Sequence, residues 1–137
     1  MSISTRIGRL LIIGAGLMLI VSSIGYTVVG VAGLMAHFDL PAGDYWQRRL
    51  YASQLIGTTA FAFAGLVTLI GVWIRTTAST PGPRRASTVL LLASVLPGAV
   101  SAIELLLLTP EDASHSIPFA LAALATVIGL ALDRRAG

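Results

Sequence analysis

One acidic residue lies inside a long apolar stretch of the sequence. Glu104 follows Ala102-Ile103 and precedes four consecutive leucines. Ionisable side chains at membrane depth are costly, usually face protein or water, and are functional candidates by default. We expect Glu104 either to form an ion pair with Arg48 or Arg49, or to bind and release the protons that drive a carrier.

Small residues beside Glu104 indicate the direction in which it points. On a helix, Ser94, Gly98 and Ala102 form one stripe, and Glu104 lies on the adjoining face. Small side chains let membrane helices approach each other closely, so this stripe predicts a helix-packing surface. Glu104 should therefore face a neighbouring helix rather than lipid.

The dipeptide Pro97-Gly98 falls near the middle of the same apolar run. Proline lacks the backbone N–H that a helix interior uses, so a kink is expected here. In transporters, broken helices mark binding sites near the midplane of the bilayer. Pro97 and Gly98 are thus a candidate hinge, although proline kinks are also common in membrane helices that do not move.

The remaining polar residues match no catalytic or metal-binding motif. His37 and His115 are far apart in the sequence, and the chain has neither a cysteine nor an H-E-x-x-H pattern. The sequence also contains no nucleophile elbow and no phosphate-binding loop. We therefore expect no metal ion, no cofactor and no enzymatic activity. A metal or ligand sensor that uses His37, His115 and a carboxylate at one membrane face is the weaker alternative.

The composition indicates the class of protein that must position these few polar residues. The chain has 137 residues, of which 55% are hydrophobic and 11% are charged, and its mean hydropathy is +0.88. A soluble domain usually has about 25% charged residues, so a soluble fold is excluded. Disordered chains need low hydrophobicity, and disulfide-rich secreted domains need cysteines. An integral membrane protein remains.

Four apolar runs account for most of the length, at 10–36, 50–74, 89–108 and 117–132. About 20 helical residues cross the hydrocarbon core once. The first three runs are long enough, whereas the fourth needs Ser116 and Asp133 at the membrane interfaces, or a locally thinner bilayer. A Pro-Gly-Pro turn precedes the third helix, with Ser87 placed to cap it.

These runs predict an all-α fold in a single domain, 1–137. It is a four-helix transmembrane bundle with helices at about 8–36, 45–75, 88–108 and 116–133.

Arginine placement predicts the orientation of this bundle. Only Arg48 and Arg49 fall on one side, and the other side has seven arginines: Arg6, Arg9, Arg75, Arg84, Arg85, Arg134 and Arg135. Under the positive-inside rule both termini are cytoplasmic. The basic side suits topology and anionic lipid rather than nucleic acid. In this arrangement Glu104 is the clear exception among charges otherwise assigned to the two membrane faces.

Two functions are compatible with this pattern. Small-residue surfaces, including Ser53 and Gly57 on the second helix, favour a non-catalytic accessory or assembly subunit that packs against other membrane proteins or forms a homo-oligomer. The alternative is a small proton-linked transporter that uses Glu104. The absence of asparagine and the use of arginine as the sole basic residue besides histidine are typical of GC-rich bacterial genomes, which predicts the bacterial cytoplasmic membrane.

The length and the four crossings resemble those of small multidrug transporters. Members of that family depend on a carboxylate in the first helix. Here no acidic residue lies between Arg9 and His37, so the main reason to assign the chain to that family is missing.

Overall fold

A computed structural model describes residues 2–30, 45–107 and 116–135. The regular elements of these segments are all helical. They are α1 (Ile3–Gly25), a π-helical turn (Tyr26–Gly30), α2 (Tyr45–Thr77), α3 (Pro81–Ser94), α4 (Leu96–Leu107) and α5 (Ile117–Arg135).

Four helical spans are long and apolar enough to cross a membrane. They cover Ile3–Val28, Leu55–Thr77, Pro81–Leu107 and Ile117–Arg134, so α3 and α4 together make the third span. The all-helical architecture with four such spans agrees with the sequence prediction. The predicted end of the first helix at 36 lies outside the described residues.

Two helices begin earlier than their apolar runs indicate. α1 starts at Ile3 because Ser2 is its N-cap and accepts a hydrogen bond from the backbone N–H of Thr5. α3 starts at Pro81, since proline needs no N–H partner in a first helical turn. Ser87, predicted to cap this helix, instead lies inside it, is buried, and donates to the carbonyl oxygen of Arg84 at 2.7 Å.

The four spans run alternately up and down. α1 packs against both α2 and α5, and α2 also packs against α3. The hydroxyl of Ser4 donates to the carbonyl oxygen of Leu132 at 3.4 Å, which places the beginning of α1 beside the end of α5. The first and last described residues therefore lie at the same end of the bundle.

The third span changes its main packing partner where it is interrupted. α3 packs chiefly on α2, whereas α4 packs chiefly on α5. The two helices are separated at Val95, two residues before Pro97. Because Pro97 has no N–H, it cannot donate to the carbonyl four residues earlier, and the helix is weakened at this position.

Glycines form the closest contacts between spans. Gly8 of α1 and Gly129 of α5 face each other so closely that a Cβ on either would collide with the carbonyl oxygen of the other. In the contact between α1 and α2, a Cβ on Gly65 would lie 2.8 Å from the carbonyl oxygen of Gly16. α1 is therefore packed backbone to backbone against both of its neighbours.

Apolar side chains fill the space between these crossings in two clusters. One contains Ile12, Val72, Leu91 and Leu130. The other is built around Phe119, which stacks on Phe61 with ring centroids 3.9 Å apart and meets Tyr26 at 5.7 Å. This aromatic contact joins α2, α5 and the start of the π-helical turn.

Candidate functional site

A buried carboxylate near the end of α5 is the centre of the first polar cluster. Asp133 is 0% exposed and Arg75 is 4% exposed. The Nε of Arg75 donates to Oδ2 of Asp133, and the Nε of Arg9 lies 3.4 Å from Oδ1. Arg75 also donates from Nη1 to the hydroxyl of Thr88 at 2.9 Å. We call these four residues the Asp133 network.

The Asp133 network takes one residue from each of the four spans. Arg9 is in α1, Arg75 in α2, Thr88 in α3 and Asp133 in α5. A charge buried from water must be paired to be tolerated. The two arginine partners of Asp133 come from α1 and α2, and Thr88 of α3 accepts a hydrogen bond from one of them, Arg75. The network therefore fixes the relative positions of all four spans at this end.

Sequence reasoning missed this cluster. Asp133 and Ser116, predicted to lie at the membrane interfaces, are 0% and 1% exposed because other spans cover them; their depth in the bilayer stays a prediction. Between the helices, Asp133 and Arg75 are more fully buried than the half-buried Glu104, and the prediction that Glu104 alone lies away from the membrane faces stays a prediction. One signal was present in the sequence: Asp133 is the single acidic residue among the seven arginines assigned to this side.

Glu104 belongs to the second polar cluster, at the opposite end of the bundle. Its side chain is half-buried on α4, and its Oε2 accepts a hydrogen bond from the hydroxyl of Ser116 at 2.7 Å. Ser116 immediately precedes α5 and is buried. Glu104 thus faces the neighbouring helix, and this hydrogen bond joins the end of α4 to the start of α5.

The two arginines predicted to pair with Glu104 lie near the start of α2. Arg48 and Arg49 are both exposed, and Arg49 donates from Nη1 to the hydroxyl of Tyr45 at 2.8 Å, one turn earlier on the same helix. Asp133 forms the ion pairs that the structure shows between described residues, with Arg9 and Arg75. An ion pair between Glu104 and Arg48 or Arg49 stays a prediction.

The residues of the predicted stripe on the third span lie on both sides of its interruption. Ser94 ends α3 and is buried, and Gly98 is buried in the first turn of α4. A Cβ on Gly98 would lie 2.5 Å from the Cβ of Ala123 and 2.6 Å from the carbonyl oxygen of Phe119. Ala102 is half-buried. Gly98 is therefore a close-contact position against α5, and its role as a hinge with Pro97 stays a prediction.

The predicted packing surface on α2 has a different environment. Ser53 is exposed, and a Cβ on Gly57 would meet no described residue within 4 Å. Ala60, almost one turn further along, is also exposed. These three residues, which we call the open α2 face, lie in the half of α2 that precedes its contact with α3. The face is open because the third span leaves α2 at Val95 and continues along α5.

Three hydroxyl groups in the interior are satisfied within their own helices. Thr68, Ser94 and Thr126 are buried, and they donate to the carbonyl oxygens of Ala64, Leu91 and Ala122 at 2.7–2.9 Å. Such hydrogen bonds to the preceding turn are the usual way in which serine and threonine are accommodated in apolar helices. These three donors need no ligand.

The metal-binding residues considered from sequence cannot be placed, because His37 and His115 lie outside the described residues. Within the described segments, no group of three or more histidine, cysteine, aspartate or glutamate side chains could hold a metal ion. Comparisons of the chain with protein families, with curated proteins and with solved structures found no match.

Proposed function

We propose that the chain is an integral protein of the bacterial cytoplasmic membrane that crosses the bilayer four times, with both termini in the cytoplasm. Large apolar side chains on the outside of the bundle support this proposal, among them Ile56 at 71%, Leu106 at 85% and Leu107 at 78% exposure. Patches of this kind on a soluble monomer would cause aggregation. The excess of arginine on one side of the bundle supports the orientation with both termini in the cytoplasm.

Within the membrane, we propose that the protein is a non-catalytic accessory or assembly subunit. The observation that carries this proposal is the open α2 face, formed by Ser53, Gly57 and Ala60. Elsewhere in the bundle, glycines such as Gly65 and Gly98 are in backbone contact with a neighbouring span. Gly57 is equally suited to such contact but has no neighbour among the residues that the structure describes, so a helix of another membrane protein, or of a second copy, can pack there.

Replacement of Gly57 by leucine tests this role. The new side chain would enter open space within the protein, so the bundle should fold normally, but it would block a helix that approaches the open α2 face. Gly14→Leu is the matched control, because a Cβ on Gly14 of α1 also meets nothing within 4 Å. The measurement is crosslinking and co-purification from native membranes in mild detergent, with the stoichiometry determined by mass spectrometry.

We expect the unaltered protein and Gly14→Leu to retain a stoichiometric partner, and Gly57→Leu to lose most of it. A partner that is another protein indicates an accessory subunit, and a second copy indicates a homo-oligomer. Recovery of a lone monomer from lipid, or equal partner retention in both variants, would overturn the assignment of the open α2 face.

Glu104 supports a second candidate function, a proton-linked carrier. Its half-buried carboxylate accepts a hydrogen bond from the hydroxyl of Ser116 across the contact between α4 and α5. It also lies beyond the interruption of the third span at Val95, where a movement about Pro97 and Gly98 would shift α4. A carboxylate in this position could couple its protonation to a shift of α4 relative to α5.

Glu104→Gln separates this second function from the first. Glutamine keeps the size and can still accept the hydrogen bond from Ser116, but it cannot exchange a proton. If Glu104 couples protons, reconstituted vesicles should lose proton-dependent flux while the protein stays folded. Unchanged folding with unchanged flux would eliminate the coupling role, and the accessory role does not depend on this result.

A further inference from the structure

We propose that the end of the bundle at the Asp133 network binds anionic phospholipid headgroups. Four arginines at this end have exposed side chains: Arg6, Arg84, Arg85 and Arg134. Each lies within about one helical turn of a member of the network. We call this surface the basic end.

The position of Asp133 makes the basic end uniformly positive. Asp133 is the acidic residue that the described segments contribute to this end, and it is 0% exposed because Arg75 and Arg9 hold it inside the bundle. The four exposed guanidinium groups therefore have no exposed carboxylate beside them among the described residues. Their field is directed outward, toward whatever anions surround this end of the bundle.

Arg84 and Arg85 form the most concentrated part of this surface. They are adjacent in the first turns of α3, where the positive end of the helix dipole adds to their charge. No acidic side chain occupies the first turn of α3. The group that complements two adjacent guanidinium groups is a phosphate, which accepts several hydrogen bonds from each of them.

Phospholipid is the source of phosphate that this geometry favours. The four arginines are distributed over α1, α3 and α5, around the end of a bundle whose sides are apolar, as expected for contact with a ring of headgroups. A free phosphate ion would need one concave site, whereas these side chains are spread over a surface. The inference rests on the proposed membrane insertion and adds the class of lipid that surrounds one end.

Trp73 provides a reporter at the basic end. It is 65% exposed, and it lies two residues before Arg75 on α2. The chain has two tryptophans, so Trp46→Phe leaves Trp73 as the sole indole. Bilayers that contain brominated phosphatidylglycerol or brominated phosphatidylcholine, at the same mole fraction, quench this fluorescence in proportion to the lipid bound beside it.

We expect brominated phosphatidylglycerol to quench Trp73 more strongly, with a relative binding constant on the order of fivefold, the effect of roughly one basic residue near an anionic surface. Arg84→Gln with Arg85→Gln should remove most of this preference. Arg48→Gln with Arg49→Gln is the matched control, since it removes two adjacent exposed arginines from the opposite end. Inorganic phosphate added in excess should leave the preference in place.

Equal quenching by the two lipids, or an equal effect of the two double variants, would overturn the lipid proposal while leaving membrane insertion intact. Displacement of phosphatidylglycerol by inorganic phosphate would assign the site to free phosphate and would also overturn it. Absence of quenching by either brominated lipid would instead contradict the proposed membrane insertion.

Discussion

At the scale of single residues, the least expected feature is a carboxylate that is fully withdrawn from solvent between two guanidinium groups. Burying an ion pair is costly, and an apolar pair of similar size often gives equal or greater stability. Removing one partner alone is different, because the other charge stays buried without compensation. The contribution of the Asp133 network is therefore measured by comparing single and paired substitutions.

We predict that Asp133→Asn destabilises the protein by about 3–5 kcal/mol, since Arg75 and Arg9 would keep their charges in a buried site without a carboxylate. Arg75→Gln should have a cost of similar size. The double variant, Arg75→Gln with Asp133→Asn, should lose clearly less than the sum of the two single losses. The free energy of unfolding, measured by denaturant titration in mixed micelles, provides the comparison.

Arg134→Gln is the control for these variants, because Arg134 is adjacent to Asp133 in the sequence but exposed. A substitution at such a surface position should change the free energy of unfolding by about 0.5 kcal/mol or less. If Asp133→Asn were as mild as Arg134→Gln, or if the two single losses were additive, the Asp133 network would not be an energetic unit.

The sequence contains limited information on this network. The side chains of Arg75 and Asp133 meet across 58 positions of the chain, so no local pattern connects them. Both residues also lie at the ends of apolar runs, where arginine and aspartate normally mark the membrane interface. Glu104 could be recognised because apolar residues surround it on both sides, and that pattern requires no knowledge of a partner.

At the scale of helices, the distribution of glycines separates buried crossings from open surfaces. Gly8, Gly16, Gly65, Gly98 and Gly129 lie where a Cβ would collide with a neighbouring span. Gly14, Gly25 and Gly57 lie where it would meet nothing within 4 Å in the described segments. Hydropathy cannot distinguish these two groups. Which glycines are at crossings depends on the rotation of each helix about its axis, and that rotation is set by the other spans.

We predict opposite outcomes for alanine at the two kinds of position. Gly129→Ala should destabilise the bundle by about 1–3 kcal/mol, because the new methyl group requires α1 and α5 to separate at Gly8. Gly14→Ala, the control on α1, should be neutral or stabilising by up to about 1 kcal/mol, since alanine favours the helix. Thermal unfolding in detergent measures the stability of both variants. Equal unfolding midpoints for Gly129→Ala and Gly14→Ala would contradict the close contact at Gly129.

The number and position of the spans could be predicted from sequence, since each is a long apolar run. The start of α3 could not, because Pro-Gly-Pro is typical of a turn as well as of a first helical turn. A kink at Pro97 was expected from the missing N–H. The structure interrupts the helix at Val95. The change of partner from α2 to α5 across this interruption was not expected, since it depends on how α5 packs against Gly98.

At the scale of the whole molecule, the bundle brings the first and last described residues to one end, together with the connection between α2 and α3. The hydrogen bond from Ser4 to Leu132 establishes the proximity of the two terminal helices. The seven arginines predicted to be cytoplasmic belong to these same segments. The sidedness that they imply can be tested directly because the chain has no cysteine, so any introduced thiol is unique.

We predict that Ser2→Cys and Ser79→Cys react with a membrane-impermeant maleimide in inside-out vesicles and are protected in intact cells. Tyr45→Cys, at the start of α2, should show the reverse. All three positions are exposed in the bundle and neutral, so the substitutions leave the arginine distribution unchanged. Ser2 also reports on the end of α5, because α1 begins beside it. Labelling of Ser2→Cys and Ser79→Cys from opposite sides of the membrane would contradict the antiparallel arrangement of the spans. If the side of labelling were reversed for all three variants, the arrangement would be preserved and only the cytoplasmic location of the termini would be contradicted.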